Sequence, residues 1–152
     1  MGSFRVQHFK AKVFGKPVGK VDWKAGEFVI MNNKDFKKIL ESRTKEYAVK
    51  VILFLKSFQC SMIDGVIAKQ ILRSATSIGA NYREANRAGS KNDFIHKIGI
   101  VEKEASETMY WLKIIECTWK FNQAQQNEFV WLKDETSELL AMFSTISRKS
   151  KL

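Results

Sequence analysis

The sequence predicts an all-α protein, an antiparallel up-down-up-down four-helix bundle. Three observations carry that prediction. No proline follows Met31, so long helices meet no breaker. The stripe Phe94, Ile98, Val101, Ala105, Thr108, Leu112, Ile115, Trp119 steps by four and three in strict alternation. That is a seven-residue repeat, the pattern of bundle seams. The run QILRSATSIGANYREANR, from Gln70 to Arg87, reads as a helix with a small and polar face.

Length and charge set the outer bounds. At 152 residues the chain suits one domain whose core forms without disulfide or metal. A net charge of +10 favours an acidic partner, nucleic acid ahead of a membrane surface; a plain solvated basic surface is the alternative. Cys60 and Cys117 lack CxxC spacing and a histidine cluster. They read as reduced, partly buried thiols, which suits the cytoplasm. The apolar run Val51–Leu55 is boxed by Lys50 and Lys56 and is too short to span a bilayer. No contiguous apolar stretch near Met1 resembles a secretory signal.

Residues 1–30 differ in kind. They hold the single proline, Pro17, four of the eight glycines, and six basic against two acidic side chains, net +4. Three readings stand: a short strand pair, a basic arm, or an extension upstream of the true start. The third rests on Gly26-Glu27, encodable by a purine-rich GGAGA-type string three codons before Met31. The expected division is a basic N-terminal extension over 1–30 and a bundle domain over 31–152.

The first helix is expected from about Lys34 to Ser57. Its stripe is Phe36, Leu40, Tyr47, Val51, Phe54 and Phe58, with Arg43 interrupting. A short connection then holds Asp64 and Gly65 near the start of the second helix. There Ile71, Ser74, Ile78, Tyr82 and Ala85 form one stripe, flanked by Ala75, Ser77, Gly79 and Ala80. Gly79 costs about 1 kcal/mol of helix propensity, and tight packing is the simplest offset. Gly89 is placed to stop this helix near Arg87. Ser90 caps the third helix, with Asp93 three residues on, close to a capping box. A loop near Asn122 leads to the fourth helix, with Phe129, Leu132, Thr136, Leu139, Phe143 and Ile146 inward. The basic tail SRKSKL is expected to fray.

Polar groups on the small-residue helix need partners. A tight corner at Ala88-Gly89 makes positions mirror each other across it. Arg73 then faces Glu104, Gln70 faces Glu107, Asn81 lies near His96, and Glu84 lies near Asp93 or Lys97. An Arg73–Glu104 or Arg73–Glu107 pair is expected inside the bundle. Breaking a buried pair costs about 3–5 kcal/mol, whereas a surface pair is worth little.

No reactive constellation emerges. Glu102, Glu104 and Glu107 lack the Glu-x-x-His pairs of di-iron bundles. His96 stands alone, His8 lies in the extension, and Gly79 sits mid-helix rather than in a phosphate loop. The reading is non-enzymatic, with no cofactor and no metal. Trp111, Trp119 and Trp131 read as core or subunit contacts. Ile95, Ile100, Met109, Ile114, Val130 and Met142 lie off the seams and read either as a subunit interface or as a broader core stripe. Arg83, Arg87, Lys91 and Lys97 gather at the corner of the second and third helices. They are candidate nucleic-acid contacts, binding RNA or DNA with weak sequence specificity and steep salt dependence. The competing reading is a protein-interaction scaffold with incidental charge.

The central segment also carries a resemblance. Gln70, Arg73-Ser74, Ser77-Ile78-Gly79-Ala80-Asn81, Glu84-Ala85, Ser90, Asp93-Phe94, Lys103-Glu104-Ala105, Glu107-Thr108 and Trp111-Leu112 follow one spaced pattern. In it the chain closely resembles the bacterial four helix bundle protein family, over roughly residues 34–147. The first members of that family are encoded in intervening sequences of large-subunit ribosomal RNA genes. The resemblance implies an up-down bundle assembling as a homopentameric ring of basic character. It also implies kinship with accessory proteins of diversity-generating retroelements, which bind a reverse transcriptase and nucleic acid. No catalytic residues come with it.

Overall fold

A computed structural model describes residues 12–13, 16–17, 33–59 and 61–152. The chain divides into two units, Met1–Ile39 and Leu40–Leu152. In the first, β1 (Lys12–Val13) pairs antiparallel with β2 (Lys16–Pro17), Lys12 opposite Pro17 and Val13 opposite Lys16. Those four residues match the strand-pair reading. The rest of the expectations for residues 1–30, the start at Met31, and Cys60 lie outside the described residues.

Four helices make up the remainder: α1 (Asn33–Lys56), α2 (Met62–Ala85), α3 (Lys91–Thr118) and α4 (Gln123–Ser150). Their starts follow local chemistry. Ser61 Oγ accepts from the Asp64 amide, and the Asp64 carboxylate accepts from the Ser61 amide, a full capping box ahead of α2. Ser90 Oγ accepts from the Asp93 amide at α3 without the reciprocal bond. Asn122 and Gln125 form a second capping box at α4. The tail departs from expectation. SRKSKL does not fray at its base: Ser147 is buried and α4 stays helical to Ser150.

The four helices pack against each other around one core. Leu40, Tyr47, Val51 and Phe54 of α1 are buried, with Phe36 and Phe58 half-buried at its ends. All five stripe residues of α2 are buried, together with Ala75. In α3 the repeat from Ile98 to Ile115 is buried, while Phe94 and Trp119 are half-buried. In α4 Ser147 takes the inward position expected of Ile146, because it continues the four-residue step from Phe143.

Polar contacts tie the helices in a fixed register. Between α2 and α3, Arg73 meets Glu104 and Glu107, Thr108 Oγ1 donates to Ser74 Oγ at 2.9 Å, and Lys97 meets Glu84. Between α3 and α4, Lys133 meets Glu116 and Ser144 Oγ donates to Glu102 at 2.7 Å. Between α1 and α4, Tyr47 and Thr136 share a hydroxyl bond of 2.5 Å, and Gln125 Nε2 donates to the Ser57 carbonyl at 3.1 Å. Residue numbers rise along α2 and α4 while they fall along α3 in these pairs.

At Gly79 α2 comes close to α1. A Cβ there would sit 3.3 Å from Thr44 Oγ1 and 3.4 Å from Thr44 Cβ. Close approach therefore does accompany this glycine, against α1 rather than α3. At the other end of the bundle, Phe54, Phe58, Trp119, Phe121 and Phe129 form a ring cluster with centroid spacings from 4.8 to 6.1 Å.

Two expectations about burial are corrected. The ion pair set deep between helices belongs to Arg43, not Arg73. Arg43 donates from Nε to Glu135 and from Nη2 to Glu138, each at 2.5 Å, and from Nη1 to the Met142 sulfur at 3.2 Å. Its side chain is 14% exposed and that of Glu135 12%. Arg73 does pair with both predicted glutamates, but its side chain is 50% exposed. Position decides this: the α2–α3 pair lies outside the small-residue contact, on the rim of the seam. Cys117 is exposed rather than partly buried.

Candidate nucleic-acid interface

The corner between α2 and α3 is built by three backbone turns. The amides of Asn86, Arg87 and Ala88 donate to the carbonyls of Tyr82, Glu84 and Ala85. α2 thereby closes just before Arg87, and Ser90 opens α3 three residues later. Arg83 and Arg87 stand one turn apart on the exposed side, and Lys91 follows at the first position of α3, also exposed. Arg87 Nη1 donates to the Arg83 carbonyl at 3.0 Å, which fixes its guanidinium against the helix end.

Lys97 differs from the other three. Its ammonium lies 2.5 Å from the Glu84 carboxylate across the α2–α3 seam. That hydrogen bond and charge hold the Glu84 carboxyl below its usual range and raise the Lys97 amine. Arg83, Arg87 and Lys91 form no ion pair among the described residues. Three of the four candidate cations therefore present open charge, and the fourth is neutralised by a partner.

The polar set expected beside the seam is brought together only in part. Arg73 and Glu107 bond directly, and Glu104 Oε2 accepts from Arg73 Nη1 at 3.4 Å. The Arg73 guanidinium holds the Glu107 carboxyl below its usual range, helped by Trp111 Nε1 donating at 3.3 Å. Glu84 meets Lys97, as the mirror argument predicted. Gln70 does not reach Glu107: its Oε1 accepts from Arg73 Nε at 3.4 Å on its own helix. Asn81 does not bond His96 but donates to the Ser77 carbonyl one turn back, at 2.9 Å. Both amides find a local partner within a turn, which outcompetes a reach across the seam.

Beside the corner, Asn86 donates to Glu41 at 2.9 Å, anchoring the end of α2 to α1. Tyr82 stacks edge-on against Phe143 with centroids 5.3 Å apart, anchoring it to α4. Burial pushes the Tyr82 hydroxyl up to about 12, so it stays protonated at neutral pH. The sequence reading placed Tyr82 and Phe143 on inward stripes but did not single out the Asn86–Glu41 contact. An open groove along α3 and α4, lined by Gly99, Glu102, Lys103, Ser106, Glu107, Tyr110, Leu140 and Ser144, holds charges of both signs. Among the described residues no three His, Cys, Asp or Glu side chains converge as a metal site. No described helix is long and apolar enough to cross a membrane.

The expected off-seam apolar set is also revised. Of it, Val130 is well exposed, while Ile95, Ile100, Met109, Ile114 and Met142 are half-buried. The exposed apolar side chains are instead Val49 and Leu53 on α1, Met62, Ile63, Val66 and Leu72 on α2, Tyr110 on α3, and Trp131 beside Val130 on α4. Lys50 covers the Trp131 ring with its ammonium 4.7 Å from the centroid.

Comparison with known proteins supplies the kinship. No curated protein matches the chain. Among solved structures, a protein with unknown function from the S23 ribosomal protein family of Bacteroides thetaiotaomicron is 35% identical. The match covers 74% of this chain and 97% of that one, with a TM-score of 0.64. The family profile of the 23S rRNA-intervening sequence protein matches residues 37–145, which takes in all of α2 and α3 and most of α1 and α4. The chain belongs to the 23S rRNA-intervening sequence protein family.

Proposed function

We propose that this protein is a non-enzymatic, oligomeric bundle that binds the phosphate backbone of RNA or DNA as an accessory subunit of a cytoplasmic ribonucleoprotein. One observation carries the reading. Arg83, Arg87 and Lys91 are exposed at one corner with no ion pair among the described residues, in a chain of net charge +10. Phosphates would displace only water and counterions there. The resemblance to accessory proteins of diversity-generating retroelements adds a reverse transcriptase as a protein partner.

The same reading takes the bundle as antiparallel, up-down-up-down, and as a homopentameric ring. The opposed numbering of the α2–α3 and α3–α4 pairs supports the first. Exposed apolar residues on α1 and α4 and, separately, on α2 support a head-to-tail interface, which closes into rings. Each ring would repeat the basic corner, and linked sites multiply weak phosphate contacts.

The test is a salt titration of binding to structured RNA. Affinity falling steeply with salt, and weakened by Arg83→Ala, Arg87→Ala and Lys91→Ala without loss of melting temperature, fits the proposal. Binding absent even at low salt removes it. A docking scaffold without nucleic-acid contact would show that second result while still capturing its protein partner.

A further inference from the structure

We propose that the last turn of α4, through Arg148 and Lys151, forms the second half of the phosphate-binding surface, completing a basic end face with the α2–α3 corner. The proposal rests on the nucleic-acid reading above and extends its site to an element that reading does not use.

Four observations place these residues at one end. Tyr82 of α2 touches Phe143 of α4, with centroids 5.3 Å apart. Residue numbers rise along both helices toward the same end, because each runs opposite to α3 in its contacts. Arg87 lies five residues past Tyr82, and Arg148 five past Phe143. Arg148 therefore stands about 7.5 Å beyond the ring contact along α4, and Arg87 lies two residues past the end of α2, toward the same end. Ser147 is buried, so the end of α4 is docked on the bundle and Arg148 beside it is held in place.

Chemistry then favours an anion. Arg148 and Lys151 are exposed and form no ion pair among the described residues. Lys149 lies between them in the sequence. Three carboxylates toward this end have partners: Glu84 is held by Lys97, Glu41 accepts from Asn86, and Glu102 accepts from Ser144. Asp93 remains in the first turn of α3, where it complements the helix dipole. The rim is thus cationic on α2, on the start of α3 and on the end of α4. A patch on one helix touches one or two phosphates. A surface shared by three helices follows a backbone for several. Cations at a helix C-terminus also favour the helix itself through its dipole. That competing role predicts a loss of stability on their removal, and the phosphate role does not.

The experiment measures anisotropy of a fluorescent single-stranded RNA of about 20 nucleotides against the full-length protein, from roughly 50 to 400 mM KCl. Compared are wild type, Arg148→Ala with Lys151→Ala, and Arg83→Ala with Arg87→Ala and Lys91→Ala. A single-strand phosphate contact contributes about 0.7 to the salt slope, or about fivefold in affinity at 0.1 M. The α4 double variant should therefore bind about 25-fold more weakly there, with a slope shallower by about 1.4 and an unchanged melting temperature. Arg148→Lys with Lys151→Arg keeps both charges and should keep the affinity. If the corner variant weakens binding while the α4 variant does not, this inference fails and the corner reading stands. If the α4 variant melts earlier yet binds normally, its cations serve the helix and the inference fails. If wild type does not bind the RNA, both fail, including where phosphatidylserine vesicles capture it instead.

Discussion

Replacing Arg43 is the most demanding test of how α1 is held. The guanidinium lies between α1 and α4, with Glu135 on Nε and Nη2 and Glu138 on Nη2. Burial disfavours both charges, and each is tolerated because the other is there. Arg43→Ala removes the cation and strands Glu135, whose side chain is only 12% exposed. Breaking such a pair costs about 3–5 kcal/mol. Glu138 is 43% exposed and rehydrates, which puts the loss at the lower end, about 3 kcal/mol. Urea unfolding followed by helical circular dichroism reads this as a midpoint lowered by roughly 1 to 3 M with an unchanged slope. Arg43→Ala with Glu135→Gln should recover much of the loss, since no buried charge is then unpaired. Arg73→Ala, at a half-exposed pair, should move the midpoint far less. An Arg43 variant no worse than the Arg73 variant would refute the argument that burial, rather than pairing, sets the scale.

Gly79→Ala should destabilise by about 1 kcal/mol. Overpacking costs about 1–3 kcal/mol and the gain in helix propensity is about 1. Thr44 cannot yield easily, because its hydroxyl is held by the carbonyls of Leu40 and Glu41 and the side chain is fully buried. Adding Thr44→Ala should reverse the sign in thermal melts. The carboxylates should split by pH. Pairing lowers Glu107 and Glu84 below 4.5, so their stabilisation is complete above that value and is lost as pH falls through their folded values. Wild type should therefore lose stability relative to Glu107→Gln as pH drops below about 4.5. Burial raises Glu138 above 4.5, so the folded chain holds this proton more tightly. Wild type should gain relative to Glu138→Gln as pH falls from neutral toward 4.5, by the same unfolding assay.

What the sequence made legible was periodic or local. The α3 stripe needed only counting, and its buried stretch runs as the alternation predicted. Ser90 marked a helix start by its type and spacing. The corner at Ala88-Gly89 allowed Arg73 and Glu84 to be matched to partners, because two adjacent helices mirror about a short turn. Arg43 was illegible for the opposite reason. It broke an apolar stripe, and its acids lie 92 and 95 residues away on α4. Locating them requires the packing of the whole bundle. Gln70 and Asn81 misled because an amide one turn from a carbonyl or guanidinium on its own helix bonds there first. Of the exposed apolar residues Val130 and Trp131 were named, but Val49, Leu53, Met62, Ile63, Val66, Leu72 and Tyr110 were missed, because stripe analysis records which residues face inward and says little about the rest.

Charge at the corner depends on pairing more than on the number of cations. Lys97 was grouped with Arg83, Arg87 and Lys91 by position, yet it neutralises Glu84 at 2.5 Å. Without Lys97 that carboxylate would face the same solvent as the two arginines and repel an approaching phosphate. Lys97 therefore keeps the corner positive by screening an acid. Arg73 does the same for Glu104 and Glu107 farther along the seam. Glu84, Glu104 and Glu107 are in this way turned toward the α2–α3 seam and occupied there. The corner keeps Arg83, Arg87 and Lys91, which meet no acid among the described residues. The positive charge of the corner arises from that pairing, since the seam consumes charge of both signs and leaves these three cations without an acid.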